Sequence, residues 1–213
     1  MRRVLLVACL AVFAALVAPS MILADQVNFD NVVAPCCFNQ TTYSPFVAPT
    51  ITFTNGVVES NAGWNNEATT APNVYATSDS FHPLQDLSVL PGNIQGTFTS
   101  GTGSGLSLDV IDGFLAADFT LTAYDAANNI LGTSSIFLKG FAQPGSIGTL
   151  SLGVGNISYF TITTDQPSGT IDFAIDTVNF TVTPTATPEP ASLAMLGMGL
   201  LGLAGLKRSR KLA

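Results

Sequence analysis

The side chains that could do chemistry are few in this 213-residue chain. It holds a single histidine, His82, and three cysteines, Cys9, Cys36 and Cys37. A hydrolytic nucleophile would need His82 beside a serine or one of the adjacent thiols, yet no Gly-x-Ser-x-Gly elbow occurs. His82 stands before Pro83 and reads as a turn residue. Glu59 and Glu67 sit in no context that would pair them as the acid and base of a glycosidase. The chain is therefore expected not to be an enzyme.

Other groups fit binding or structural roles. Trp64, within Gly63-Trp64-Asn65-Asn66-Glu67, is an aromatic among amides and a carboxylate, a composition that can stack on a sugar ring and bond its hydroxyls. The commoner use of a lone tryptophan in a β-sandwich is to plug the core or cover one end of it. Asp25, Asp30, Asn31, Asp172 and Asp176 flank the predicted first and last strands. If those strands are neighbours, Asp30, Asp172 and Asp176 could share a structural calcium through oxygen ligands. Asp and Asn are equally ordinary turn formers, and no EF-hand spacing occurs. No other cofactor is expected. Cys36-Cys37 could close a strained vicinal disulfide or stay as two thiols, and finger-like zinc spacing is missing.

Charge narrows the partners. Of the seven basic residues only Lys139 lies between 25 and 183, against thirteen acids, which leaves that body twelve negative. Such a surface cannot exchange the counterions of a phosphate backbone, so nucleic acid is excluded as a partner.

The elements that must position these residues are strands. Long helical periodicity is absent from the body, and short alternating runs recur between turn signals. Asp118 to Tyr124 alternates with Phe119, Leu121 and Ala123 on one face, Asn128-Asn129 turns the chain, and Ile130 to Leu138 returns it. Further strands are expected at Val27–Phe29, Ile51–Phe53, Gly96–Thr99, Leu106–Val110, Ile147–Leu152 and Ile157–Thr163. In Thr170 to Val182 the apolar residues shift from odd positions (Ile171, Phe173, Ile175) to even ones (Val178, Phe180, Val182). That change of face predicts a bulge or bend near Asp176-Thr177. The fold expected is all-β, a two-sheet antiparallel sandwich of jelly-roll type over 25–183. Phe173-Ala174-Ile175-Asp176-Thr177-Val178-Asn179-Phe180 resembles the closing strand of secreted jelly-roll modules, and Val27 to Asn31 their first.

Apolar segments bracket this body. Met1-Arg2-Arg3 and the run Val4 to Val17 have the layout of a Sec signal peptide, assigned here to 1–24. Ala24 offers a small residue for cleavage. Ile22, three places before that cut, is bulkier than ideal, and Ser20 is the alternative. Cys9 comes too early to serve as a lipobox cysteine. The export compartment is one in which disulfides persist.

At the other end, Pro184 to Thr187 form an extended linker. Pro188-Glu189-Pro190-Ala191-Ser192 follows, then an uncharged stretch predicted as a transmembrane helix over 191–206, then the basic cluster 207–211 with Lys207, Arg208, Arg210 and Lys211. Sixteen helical residues span about 24 Å, slightly less than the ~30 Å hydrocarbon core, a gap that thinning or snorkelling closes. The cations should stay on the cytoplasmic side. These three ordered pieces over 188–211 resemble the PEP-CTERM sorting signal of Gram-negative bacteria, also known as an ice-binding protein C-terminal domain. The resemblance implies recognition by an exosortase near Pro188, Glu189 and Pro190. It also implies a transient stay in the inner membrane and an end point at the cell surface or in an extracellular polysaccharide matrix. A structural or adhesive role for the body, with polysaccharide as partner, is the expectation. The alternatives are a carbohydrate-binding module proper and a permanently anchored periplasmic protein.

Thr97/Thr99, Thr120/Thr122, Thr161/Thr163 and Thr181/Thr183 each place two hydroxyls on one face of a strand. An ice-binding array would need a fixed interval between pairs. These intervals are irregular, so the threonines read as ordinary solvent-face strand residues.

Overall fold

A computed structural model describes residues 23–34, 45–64, 67–77, 92–140, 143–167, 170–184 and position 197. The strands are β1 (Leu23–Val27), β2 (Phe46–Val47), β3 (Ile51–Thr54), β4 (Val57–Ser60), β5 (Asn73–Ala76) and β6 (Ile94–Phe98). They continue with β7 (Gly101–Asp112), β8 (Ala117–Tyr124), β9 (Ile130–Leu138), β10 (Ile147–Leu152), β11 (Tyr159–Thr164) and β12 (Phe173–Pro184). One 3-10 turn, η1, covers Asn61–Trp64. Among the described residues no helix is long and apolar enough to cross a membrane. The predicted signal segment before Leu23, Cys36, Cys37, His82, the sorting tripeptide, the transmembrane helix apart from position 197, and the basic cluster lie outside the described residues.

The strands form two antiparallel sheets. The first runs β10-β7-β12-β5-β4, with β1 also on β12; the second runs β2-β3-β6-β11-β8-β9. The chain crosses between them repeatedly, so most neighbours in a sheet are distant in sequence. The expectation of a two-sheet antiparallel sandwich is met. The inner faces carry the alternating apolar residues, as the period of two demands. Ile51 and Phe53, Phe119 and Leu121, and Leu106, Leu108 and Val110 are fully buried in one continuous core. Its aromatic centre joins Phe29 to Phe46, Phe53 and Tyr75, with ring centroids 5.1 to 5.4 Å apart.

The 118–138 hairpin forms as the alternation requires, with β8 paired to β9 and Asn128 at φ 65 in the turn. The predicted irregularity in the last strand is also present. β12 shifts register on β7 between Asp176 and Asn179, and Thr177 has φ 49. Its cause is visible in the pairing. Ala174 and Ile175 pair with β5, whereas Val178 to Val182 pair with β1. The strand changes partner where it changes face.

The predicted strand at Val27–Phe29 lies too far along the chain. Pairing to β12 draws the strand back to Leu23–Val27, and Phe29 at φ 60 leaves the ladder to send its ring into the core.

Candidate binding face

Two surfaces of this sandwich differ in kind. The outer face of the first sheet is partly roofed. Trp64 at the end of η1 covers Val74 and Ala76 of β5, Ile111 of β7 and Ala174 of β12, forming a second, smaller core. The roof is fastened by Asp176. Its Oδ2 accepts from the Thr70 amide at 2.7 Å and from the Thr69 hydroxyl at 3.1 Å, and its Oδ1 accepts from the Thr177 amide at 2.7 Å. Burial raises the Asp176 pKa against the pull of these donors.

This arrangement decides between the two readings of Trp64 and separates the three candidate calcium ligands. Trp64 is 0% exposed, so its indole has no face for a sugar ring, and the residue packs instead. Asp30, Asp172 and Asp176 are not gathered into one calcium site. Asp30 accepts from the Asn73 amide, Asp172 from the Phe114 amide, and Asp176 from the roof. β1 and β12 are indeed neighbours, but the register puts Asp176 on the outer face and Asp172 ahead of the strand. Among the described residues no group of three or more His, Cys, Asp or Glu is placed to hold a metal ion.

Asp172 instead meets Asp112, and both are fully buried. Gln166 links them: its Nε2 donates to Asp112 Oδ1 at 3.1 Å and its Oε1 accepts from the Asp172 amide at 2.8 Å. Burial, and then the neighbouring Asp172 carboxylate, push the Asp112 pKa up to about 8, against the nearby amides of Gly113 and Ala117 and the Gln166 side chain. Its Oδ2 accepts no hydrogen bond among the described residues, which suits a protonated carboxyl. Gly113 permits the approach, because a Cβ there would collide with the Asp172 carboxyl.

The outer face of the second sheet is part-exposed, with Thr133, Ser135 and Thr163 at the surface and Thr122 buried. Antiparallel pairing sets Thr161 of β11 opposite Thr122 of β8, and Thr163 opposite Thr120. It also sets Thr122 and Thr120 opposite Thr133 and Ser135 of β9. On the other flank Thr52 of β3 lies opposite Thr97 of β6, and Thr54 opposite Gln95. Two of the Thr-x-Thr pairs that are irregularly spaced in sequence are thus in register in space. The loops between strands differ in length; the ladder does not. The hydroxyls are tied to one another and to amides, Thr120 to Ser135 at 2.9 Å and Gln95 Nε2 to Thr97 at 3.1 Å.

Tyr124 and Tyr159 stand at one end of this face as direct cross-strand partners, their rings stacked at 4.6 Å and 8°. The turn after β8 fixes them. Asp125 accepts from the Asn129 side chain and from the amides of Asn129 and Ala127, which holds its carboxyl below the usual range. Asn128 then accepts from the Tyr159 hydroxyl at 3.0 Å. The result is a preset, half-buried aromatic pair with a hydroxyl ladder beside it, the composition of a face that packs on sugar rings and bonds their hydroxyls. Tyr124 closes the legible alternating run, but nothing in the sequence sets Tyr159 against it.

Fold and face define an all-β sandwich with one roofed and one part-exposed sheet. Residues 186–211 match the PEP-CTERM protein-sorting motif, so the chain carries that signal, which indicates export and membrane-associated sorting in Gram-negative bacteria. No curated protein matches the chain. Among solved structures, a cleaved adhesin domain of Lys-gingipain is similar at 12% identity, over 74% of this chain and 99% of its own, with TM-score 0.45. A second such domain, from Porphyromonas gingivalis, is similar at 16% identity over 74% and 97%, with TM-score 0.40. The C-terminal family 22 carbohydrate-binding module of Clostridium thermocellum Xyn10B is similar at 12% identity over 77% and 95%, with TM-score 0.37. At these scores none of them assigns a residue, ligand or activity to this chain.

Proposed function

We propose that this chain is a non-enzymatic, exported sandwich protein. An exosortase releases it from the inner membrane at Pro188-Glu189-Pro190, and it lodges at the cell surface or in the surrounding polysaccharide matrix. In this reading it holds extended glycan chains on the outer face of the second sheet, with Tyr124 and Tyr159 as the aromatic platform and Thr97 and Thr161 as hydroxyl partners. The observation that carries the reading is the stacked tyrosine pair set in register with the hydroxyl ladder. The acidic body favours neutral polysaccharide over sulfated or phosphorylated chains, because like charges repel at contact.

The experiment is affinity electrophoresis of the processed protein through gels containing neutral or anionic polysaccharides. Retardation by a neutral glycan, lost in Tyr159→Ala with the fold unchanged by circular dichroism, supports the reading. Migration that is unaffected by every glycan, or retardation that survives both Tyr124→Ala and Tyr159→Ala, overturns it.

A further inference from the structure

The first strand begins earlier than the signal-peptide boundary drawn from sequence allows. Leu23 pairs with Val182, Ala24 with Thr181, Asp25 with Phe180, Gln26 with Asn179 and Val27 with Val178. A cut after Ala24 would remove two of these five pairs. Among the described residues the part of β12 so exposed has no substitute neighbour on that side. β7 already occupies its other edge, with Thr181 opposite Ser104 and Val182 opposite Gly103, and β5 reaches only Ala174 and Ile175. Unpaired strand edges are templates for aggregation, a hazard for a protein that must cross a periplasm. The cut would also place a new ammonium on Asp25, whose Oδ2 accepts from the Thr50 hydroxyl at 2.7 Å and so ties β1 to the opposite sheet.

The residues preceding Met21 offer a better site. Signal peptidases require small side chains at the first and third positions before the cut. Ser20 and Ala18 satisfy both for a cut after Ser20, whereas a cut after Ala24 puts Ile22 at the third.

We infer that the signal peptide is removed before Leu23, at the Ser20–Met21 bond, so that β1 reaches its partner intact. A membrane-bound signal peptidase delivers water to that amide; the C–N bond breaks, Ser20 gains the carboxyl and Met21 the amine. The inference rests on export of the chain and adds where its first cut falls. It also sets the geometry of the membrane-held intermediate. Leu23 and Val182 lie side by side, so the N-terminal and C-terminal segments leave the sandwich at the same end. One end of the fold then faces the membrane for both processing steps.

The test is expression of the full chain in a Gram-negative host, with N-terminal sequencing of the protein from cytoplasm, periplasm, membrane and medium. A mature chain starting at Met21 supports the inference. One starting at Asp25 or later overturns it while leaving export intact, and a chain found only in the cytoplasm with Met1 retained overturns export as well. Two variants separate the sites independently. Ser20→Leu should leave most of the chain as precursor, whereas Ala24→Leu, at an exposed strand position, should be processed like the natural chain. The opposite pattern would place the cut after Ala24.

Discussion

Thr70 donates both its amide and its hydroxyl to the carboxylate of Asp176, across 106 positions of sequence. This contact joins the roof over the first sheet to the point where β12 changes partner from β5 to β1. Asp176→Ala should therefore loosen two things together. Several donors lose their acceptor in a part-buried setting, which costs about 2–4 kcal/mol. At roughly 2–4 °C per kcal/mol for a chain of this size, the melting temperature should fall by about 4–16 °C. Thermal unfolding measures it, and a Trp64 fluorescence spectrum shifted to the red would report the roof lifting. A variant with unchanged melting and emission would show that the roof is held by packing alone.

Asp112 gives stability a pH dependence of defined sign. Its pKa is raised to about 8 in the fold, from an unfolded value near 3.9. Between those values the folded chain keeps a proton that the unfolded chain has released, so this group's contribution is greatest at the acid end and is lost as pH rises toward 8. Asp112→Asn mimics the protonated form. It should be near neutral at pH 4 and stabilise by about 1–3 kcal/mol at pH 8.5, where the natural carboxyl must be charged. Denaturant melts from pH 4 to 9 check it, and parallel curves for the two proteins would count against a buried proton.

How much of this was readable in the sequence depended on whether the signal was local. The 118–138 hairpin was legible because alternation, turn residues and return strand lie within one short segment. The bulge at Asp176-Thr177 was legible because a face change leaves a mark in the apolar pattern. Strand β5 was not, since Asn73 to Ala76 are buried on both faces and show no alternation. That a lone Trp64 packs was legible, but the surface it covers was not, because Val74, Ile111 and Ala174 are scattered along the chain. The Tyr124–Tyr159 pair and the aligned threonines are products of register, and register between distant strands has no local signature. For the same reason the two carboxyls that meet, Asp112 and Asp172, were not the set proposed as calcium ligands.

Trp64 supplies a contrast between size and polarity. Trp64→Ala empties the second core and should cost about 3–5 kcal/mol, enough to unfold a marginal domain. Its indole Nε1 has no hydrogen-bond partner among the described residues. Trp64→Phe therefore removes volume but also a buried unsatisfied donor, two effects of opposite sign and similar size. The net change should stay under about 1.5 kcal/mol by urea titration. A Phe variant as damaged as the Ala variant would mean the indole N–H is bonded in solution, for example to a buried water.

A glycine lies under an aromatic ring in the second sheet. Gly96 of β6 is the cross-strand partner of Phe160 of β11, on the inner face. A Cβ at Gly96 would run into the ring carbons of Phe160. The ring has little room to retreat, being fully buried with Phe53 at 6.2 Å and Phe98 at 6.4 Å. Gly96→Ala should raise strand propensity slightly yet destabilise overall by about 1–3 kcal/mol, because overpacking forces the ring off its site. Phe160→Leu alone should also destabilise, by leaving a cavity. Combined, the added methyl occupies part of the space the ring gave up, so the double variant should be more stable than the sum of the single losses implies. A double-mutant cycle by denaturant unfolding measures this coupling, which should favour the pair by at least about 0.5 kcal/mol. Strict additivity would mean that Phe160 does not rest on Gly96 and that the inner face of the second sheet is packed differently at its centre.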